Sequence, residues 1–204
     1  KLYPSDGPLG GGGGFGKAVA ISSSADSLII GAPDDDTGQV DAGSAYAQSL
    51  RALTRFQGAL AGWTADPASS LASTYDAARA AVALDDCDWL AHALLGIATL
   101  WKRRDYEGAA AEEEMAIALN PSAAIAHHFH GCVLIFDARP AAAIPHLRAV
   151  PQLDPRFPFL SVTLADLGLA HLLLGEFDEA VRMCERALAE REENVRAWQR
   201  LAAT

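Results

Sequence analysis

The sequence predicts a mainly α fold, an α-solenoid of antiparallel helix pairs, preceded by a short N-terminal segment that is β-hairpin-like or disordered. Three observations lead there. Gly96, Gly131 and Gly168 each sit in a short apolar segment, and each of these is followed by a second, amphipathic segment with its own small residue. Those small residues recur at near-constant spacing, 34 residues from Ala109 to Ala143 and 37 from Ala143 to Ala180. Finally, the chain is written in short apolar runs between turn residues up to about Leu50, and in helical periodicity from there onward.

Taken in order, residues 1–14 form a flexible lead ending in the tract Gly10–Gly14, which cannot repay the entropy of ordering itself. Residues 15–49 read as a β fragment. Phe15-Gly-Lys-Ala-Val-Ala-Ile-Ser22, Ser27-Leu-Ile-Ile-Gly-Ala-Pro33 and Gly43-Ser-Ala-Tyr-Ala47 are strand-like runs around an Asp/Gly loop. Phe15-Gly16, Gly31-Ala32-Pro33 and Gly43-Ser44-Ala45-Tyr46 resemble one FG-GAP repeat, the blade unit of integrin-type β-propellers. A propeller closes with about four to eight blades, so one blade alone leaves its faces and edges uncovered.

Residues 50–204 then form the helical repeat domain. Expected helices are Leu50–Gly62, Ala68–Leu84, Trp89–Lys102, Tyr106–Leu119, Ala123–Asp137, Pro140–Val150, Pro158–Leu174, Phe177–Arg191 and Asn194–Ala203. Pro121 and Pro155 mark the ends of second helices, because proline cannot continue one. Pro140 suits a first helical turn, whereas Pro145 is expected to kink its helix. The three extra residues between Ala143 and Ala180 fit an insertion at Arg156-Phe-Pro-Phe-Leu160. Where paired helices cross closely there is no room beyond a methyl, so Gly131 is expected opposite Ala143 and Gly168 opposite Ala180.

His92-Ala-Leu-Leu95-Gly96, His127-His-Phe-His130-Gly131 and Leu164-Ala-Asp-Leu167-Gly168, with the partner segments that follow them, resemble the tetratricopeptide (TPR) repeat. That resemblance implies helix hairpins that bury their faces only by stacking on neighbours. Further wording, including Gly62-Trp63-Thr-Ala-Asp-Pro67, Ala118-Leu-Asn-Pro121, Ala143-Ile-Pro-His-Leu147 and Leu172-Leu-Leu-Gly-Glu-Phe-Asp-Glu-Ala180, resembles the C-terminal TPR region of bacterial adenylate/guanylate cyclase-like proteins and related signalling regulators. It implies a sensory or scaffolding appendage and carries over no nucleotide chemistry, since the catalytic domain is not in the chain.

Net charge is −10, from 16 Lys and Arg against 26 Asp and Glu. No basic stripe is present to neutralise phosphate, which excludes nucleic acid from the expected partners. No run of about 18 uncharged apolar residues appears, so no membrane insertion is expected. Lysine rather than methionine stands first and no basic-then-apolar leader precedes the repeats; the chain reads as a fragment or processed product. Cys87, Cys132 and Cys184, an odd number without C-x-x-C spacing, read as reduced thiols and point to the cytoplasm.

No nucleophile–base or phosphate-loop constellation stands out, and the expectation is a non-enzymatic chain without cofactors. His128 and Cys132 share a helix face, yet two ligands do not close a zinc site. Asp34, Asp36 and Asp41 offer oxygen ligands to calcium, but their spacing is not that of a calcium loop, and a solvated acidic turn is the default. The informative surface is the wall lined by first helices. It is expected to carry Leu90, Ala93, Ile97, Leu100 and Trp101, then Ile125, His128, Cys132, Ile135 and Phe136, then Val162, Ala165, Leu169, Leu172 and Leu173. This apolar wall, lacking Lys, Arg and Asn, argues against a carboxylate clamp. It argues for an apolar helix of a protein partner, or for self-association; tight superhelical curvature that buries the wall within the stack is the competing reading. The functional expectation is a bacterial signalling scaffold; its alternative is a secreted or cell-surface FG-GAP propeller protein.

Overall fold

The computed structural model describes residues 18–21, 28–31, 42–60 and 64–204, in two compact units, Lys1–Leu95 and Gly96–Thr204. In the first unit, β1 (Ala18–Ile21) and β2 (Leu28–Gly31) pair antiparallel, with Val19 opposite Ile30 and Ala20 opposite Ile29. β2 lies against α1 (Ala42–Leu60), which packs on α2 (Pro67–Leu84). The helix starts at Ala42 rather than Leu50, which corrects the β fragment 15–49 as drawn from sequence: Gly43–Ala47 is helix, not strand. The physical reason lies farther along the chain. Ala45, Ser49, Ala52 and Phe56 fall on one helical stripe and are buried, so the first turns of α1 belong to its packing face. α2 in turn buries Thr74, Ala78 and Ala81.

α2 begins where Asp66 caps it, its carboxylate accepting from Ser69 N–H at 3.1 Å, and Pro67 occupies the first turn without loss, since that N–H has no helical partner. After α2, Asp88 Oδ1 accepts from Leu90 N–H and Ala91 N–H and starts α3 (Trp89–Arg103).

The second unit contains the rest of α3, then α4 (Tyr106–Leu119), α5 (Ala124–Phe136), α6 (Pro140–Leu153), α7 (Leu160–Leu173), α8 (Phe177–Glu190) and α9 (Val195–Leu201). α5 packs on α6 and α7 on α8 as helix hairpins, while α7 also touches α5 and α9, so first helices of successive pairs form one wall. The glycines explain the close crossings. A Cβ on Gly168 would lie 2.6 Å from Cys184 Sγ and 3.2 Å from the Ala180 carbonyl, as the repeat register requires. For Gly131 the close neighbour is Leu147, at 2.6 Å, rather than Ala143.

The hairpin turns use left-handed residues. Gly175, at φ 75°, follows α7, and the Glu176 N–H returns to the His171 carbonyl. Ala138 takes the same role after α5 at φ 57°, where glycine would be unstrained, with the Arg139 N–H on the Leu134 carbonyl. Pro140 opens α6 as its position predicts, and the helix runs on through Pro145 and Pro151 to Leu153, beyond the Val150 expected from sequence. The insertion before α7 is not a bulge of loose chain: Phe157 is buried with Ala124 and Val150 and stacks edge-on with Phe159.

Candidate functional site

Within the second unit, the wall of first helices holds a pocket of about 230 Å³ lined by Trp101, Cys132, Ile135, Phe136, Asp166, Leu169 and, from α9, Arg196, Gln199 and Arg200. Each helix delivers its residues by periodicity. His128 and Cys132 are four apart on α5 and Arg196 and Arg200 four apart on α9, so each pair shares a face. Trp101 and Phe136 meet edge to face at 5.0 Å between ring centroids and stay 39% and 47% exposed.

The floor is polar. Asp166, only 4% exposed, accepts from Arg200 Nη2 at 2.8 Å on Oδ1, with Arg196 Nη1 3.8 Å from the same oxygen. Its other oxygen, Oδ2, accepts from the Cys132 thiol at 3.3 Å. His128 Nε2 lies 4.0 Å from the same sulfur. The Thr163 hydroxyl donates to the Phe159 carbonyl at 3.1 Å, which leaves its oxygen to accept from His128 Nδ1–H at 3.0 Å. That chain of bonds leaves the lone pair of His128 on Nε2, turned toward Cys132.

Burial lowers the His128 pKa to about 4, against the pull of the Asp166 charge, so the ring is neutral near pH 7. Burial first, and then the Asp166 charge, push the Cys132 thiol well above its ordinary range. A thiol held in its protonated form by an adjacent carboxylate is no activated nucleophile, and Asp166 orients the thiol rather than the imidazole. The arrangement therefore does not work as a cysteine–histidine hydrolytic pair.

The residues expected to line an apolar wall are mostly closed. Ile97, Leu100, His128, Cys132 and Ile135 are buried, as are Leu90, Ala93 and Ala165, while Ile125, Val162, Leu169 and Leu172 are half-buried. Only Trp101, Phe136 and Leu173 of the expected residues are exposed, Leu173 at 55%. The long open strip read from sequence is corrected to a short aromatic mouth over a packed core. The wall is also not free of cations. The expected wall residues stop at α7, and Arg196 and Arg200 come from α9, whose place as a first helix assigns it to this wall. Asp34, Asp36 and Asp41 lie outside the described residues. Asp85, Asp86 and Cys87 cluster at the surface, where Asp85 accepts from the Cys87 N–H and so braces a turn.

The sequence profile of the tetratricopeptide repeat matches residues 161–204, and that of the FG-GAP repeat matches residues 1–47. No curated protein sequence matches the chain. Among solved structures, a thermophilic TPR protein of Thermus thermophilus, TTC0263, is similar at 18% identity and a TM-score of 0.59, covering 78% of this chain and 80% of its own. The type IV pilus biogenesis factor PilW aligns at 18% identity and a TM-score of 0.65, over 78% of this chain and 67% of its own. MamA aligns at 22% identity and a TM-score of 0.52, over 74% and 88%. The helical part of the chain is thus a TPR-type α-solenoid. Among the described residues, no helix is long and apolar enough to cross a membrane.

Proposed function

We propose that the helical repeats are a non-catalytic protein-interaction module that seats an apolar helix of a partner, or of a second copy of the chain, at the mouth formed by Trp101 and Phe136. One observation carries the reading: two large aromatic side chains, packed edge to face and exposed, stand over a pocket whose floor is polar. Aromatic residues placed this way supply contact area at little entropic cost and are common anchors of interfaces. Arg200 adds a requirement on the partner. Its Nη1 is buried without a hydrogen-bond partner, so an acceptor, a backbone carbonyl or a carboxylate, inserted beside the apolar anchor would satisfy it.

The setting proposed is a bacterial signalling or regulatory protein in the cytoplasm, with residues 50–204 as its scaffold domain, and it rests on the likeness of the repeats to those of cyclase-like regulators. A second reading, supported by the FG-GAP match over residues 1–47, is a piece of a secreted or cell-surface propeller protein in which the repeats are an annex.

Trp101→Glu with Phe136→Glu tests the module. Both side chains are partly exposed, so helicity and the melting transition should survive. Concentration-dependent association in sedimentation velocity, or binding of an identified partner, should be lost. Unfolding of the double variant would show that the aromatics are core; unchanged association would place the interface elsewhere.

A further inference from the structure

The aromatic mouth does not account for the polar cluster beneath it. From the convergence of their donor atoms, we propose that His128, Cys132 and Asp166 form a three-ligand site for a divalent transition metal of the zinc class, with its fourth position open to the pocket. The imidazole nitrogen, thiol sulfur and carboxylate oxygen all lie within 4.8 Å of one another. Their separations from the sulfur are 4.0 Å to His128 Nε2 and 3.3 Å to Asp166 Oδ2. A tetrahedral ion with metal–sulfur bonds of about 2.3 Å and metal–nitrogen or metal–oxygen bonds of about 2.0–2.1 Å needs edges of roughly 3.5 Å. The two separations bracket that value, and the third edge, from His128 to Asp166, lies within 4.8 Å.

The atoms behind the ligands are arranged as a metal site needs. The hydrogen bond to Thr163 presents Nε2 unprotonated, and the guanidiniums occupy Oδ1 of Asp166, which leaves Oδ2 for the ion. All three ligands are buried, yet Cys132 and Asp166 also line the pocket, which gives an entry path and room for a water or a partner's side chain as fourth ligand. On binding, the sulfur–hydrogen bond of Cys132 breaks, a sulfur–metal bond forms, and the proton leaves to solvent. Thiolate and carboxylate then balance the charge of the ion. Because His128 and Cys132 belong to α5 and Asp166 to α7, the ion would tie two successive repeats together at the floor of the groove.

The test uses the full chain with Cys87→Ser and Cys184→Ala, which leaves Cys132 as the one thiol of the original three. Titration with cobalt(II), a spectroscopic stand-in for zinc, should give thiolate-to-cobalt charge-transfer absorption in the near ultraviolet and tetrahedral bands in the visible. Both should saturate at one ion per chain and vanish on adding zinc. His128→Gln or Asp166→Asn in the same background should weaken the apparent cobalt affinity by at least about tenfold. Absence of the charge-transfer band overturns the proposal outright, since no other thiol is present to obscure the result. A band that persists undiminished in folded His128→Gln and Asp166→Asn chains would mean that Cys132 binds with other ligands, and would overturn the site as assigned.

Discussion

Glu113 of α4 is fully buried, and no side chain pairs with either of its carboxyl oxygens, the Ile97 backbone alone favouring its charged form. Gly96 makes the space: a Cβ there would stand 2.6 Å from Glu113 Oε1. Burial first, and then the charge of Glu112, hold the Glu113 pKa well above its ordinary value, so the folded chain keeps a proton that the unfolded chain releases above about pH 4.5. A raised carboxyl binds more protons folded than unfolded, so its contribution to stability is greatest below pH 4.5 and falls as pH rises toward the folded pKa. Glu113→Gln, neutral at every pH, should give a higher urea midpoint than the parent chain at pH 8, with the gain shrinking toward pH 4.5. A gain independent of pH would show that the carboxyl is not the source.

At the scale of elements, the hairpin crossings and the caps decide which helices hold. A methyl on Gly131 would meet Leu147 Cδ2 and Cγ, both at 2.6 Å, and Leu147 is 1% exposed. Gly131→Ala should therefore cost about 1–3 kcal/mol in urea unfolding, and Leu147→Ala combined with it should cost less than the sum of the single changes. α9 depends on Asn194, whose Oδ1 accepts from Ala197 N–H while Nδ2 donates to the Ser161 carbonyl at 3.0 Å and to Ser161 Oγ at 2.7 Å. Ser161 Oγ in turn donates to the Ala187 carbonyl at 2.7 Å. One side chain thus caps α9 and ties it to α7 and α8. Asn194→Ala should lose about 1–2 kcal/mol, and hydrogen exchange should speed up at α9 before any other helix of the second unit. Uniform exchange would mean that α9 does not open by itself.

At the scale of the whole molecule, acid should weaken the second unit through its histidines. Burial lowers His128 to about 4; burial, then the neighbouring His146 and His127, lower His130 to about 4. Around His130 the rings crowd, with His146 at 4.5 Å between centroids and His127 Nδ1 3.2 Å from His146 Nδ1. Below pH 6.5 the unfolded chain takes up protons at these sites that the folded chain refuses until about pH 4. Stability present above pH 6.5 is therefore lost across that interval. The melting temperature should fall steadily from about pH 7 to about pH 4.5, by more than Glu113 restores in the lower part of that range, and His130→Gln should flatten the fall. A melting temperature level across the window would mean that solvent reaches the rings.

The sequence by itself determined the hairpins. Gly96, Gly131 and Gly168, the small residues that recur along the partner segments, and Pro121 and Pro155 after helix ends are local signals of a repeating unit whose contacts are mostly with its neighbours in the chain. That is why most helix boundaries were legible to within a few residues. The start of α1 was not, because Gly43–Ala47 has strand-like spelling and becomes helix where Ala45 and Ser49 join the face that packs on α2. The functional wall was half legible. Periodicity names the residues that face inward, but whether such a residue is open or covered depends on how closely α5, α7 and α9 approach, and that distance is a property of three repeats together. Only the tertiary structure could bury Ile97 and Ile135 while leaving Trp101 and Phe136 exposed. Only it could show Arg200 of α9 bonded to Asp166 of α7, and Asp166 to Cys132 of α5: each contact spans 34 residues, one repeat, so periodicity sets the register, but which side-chain atoms meet depends on how closely the helices approach.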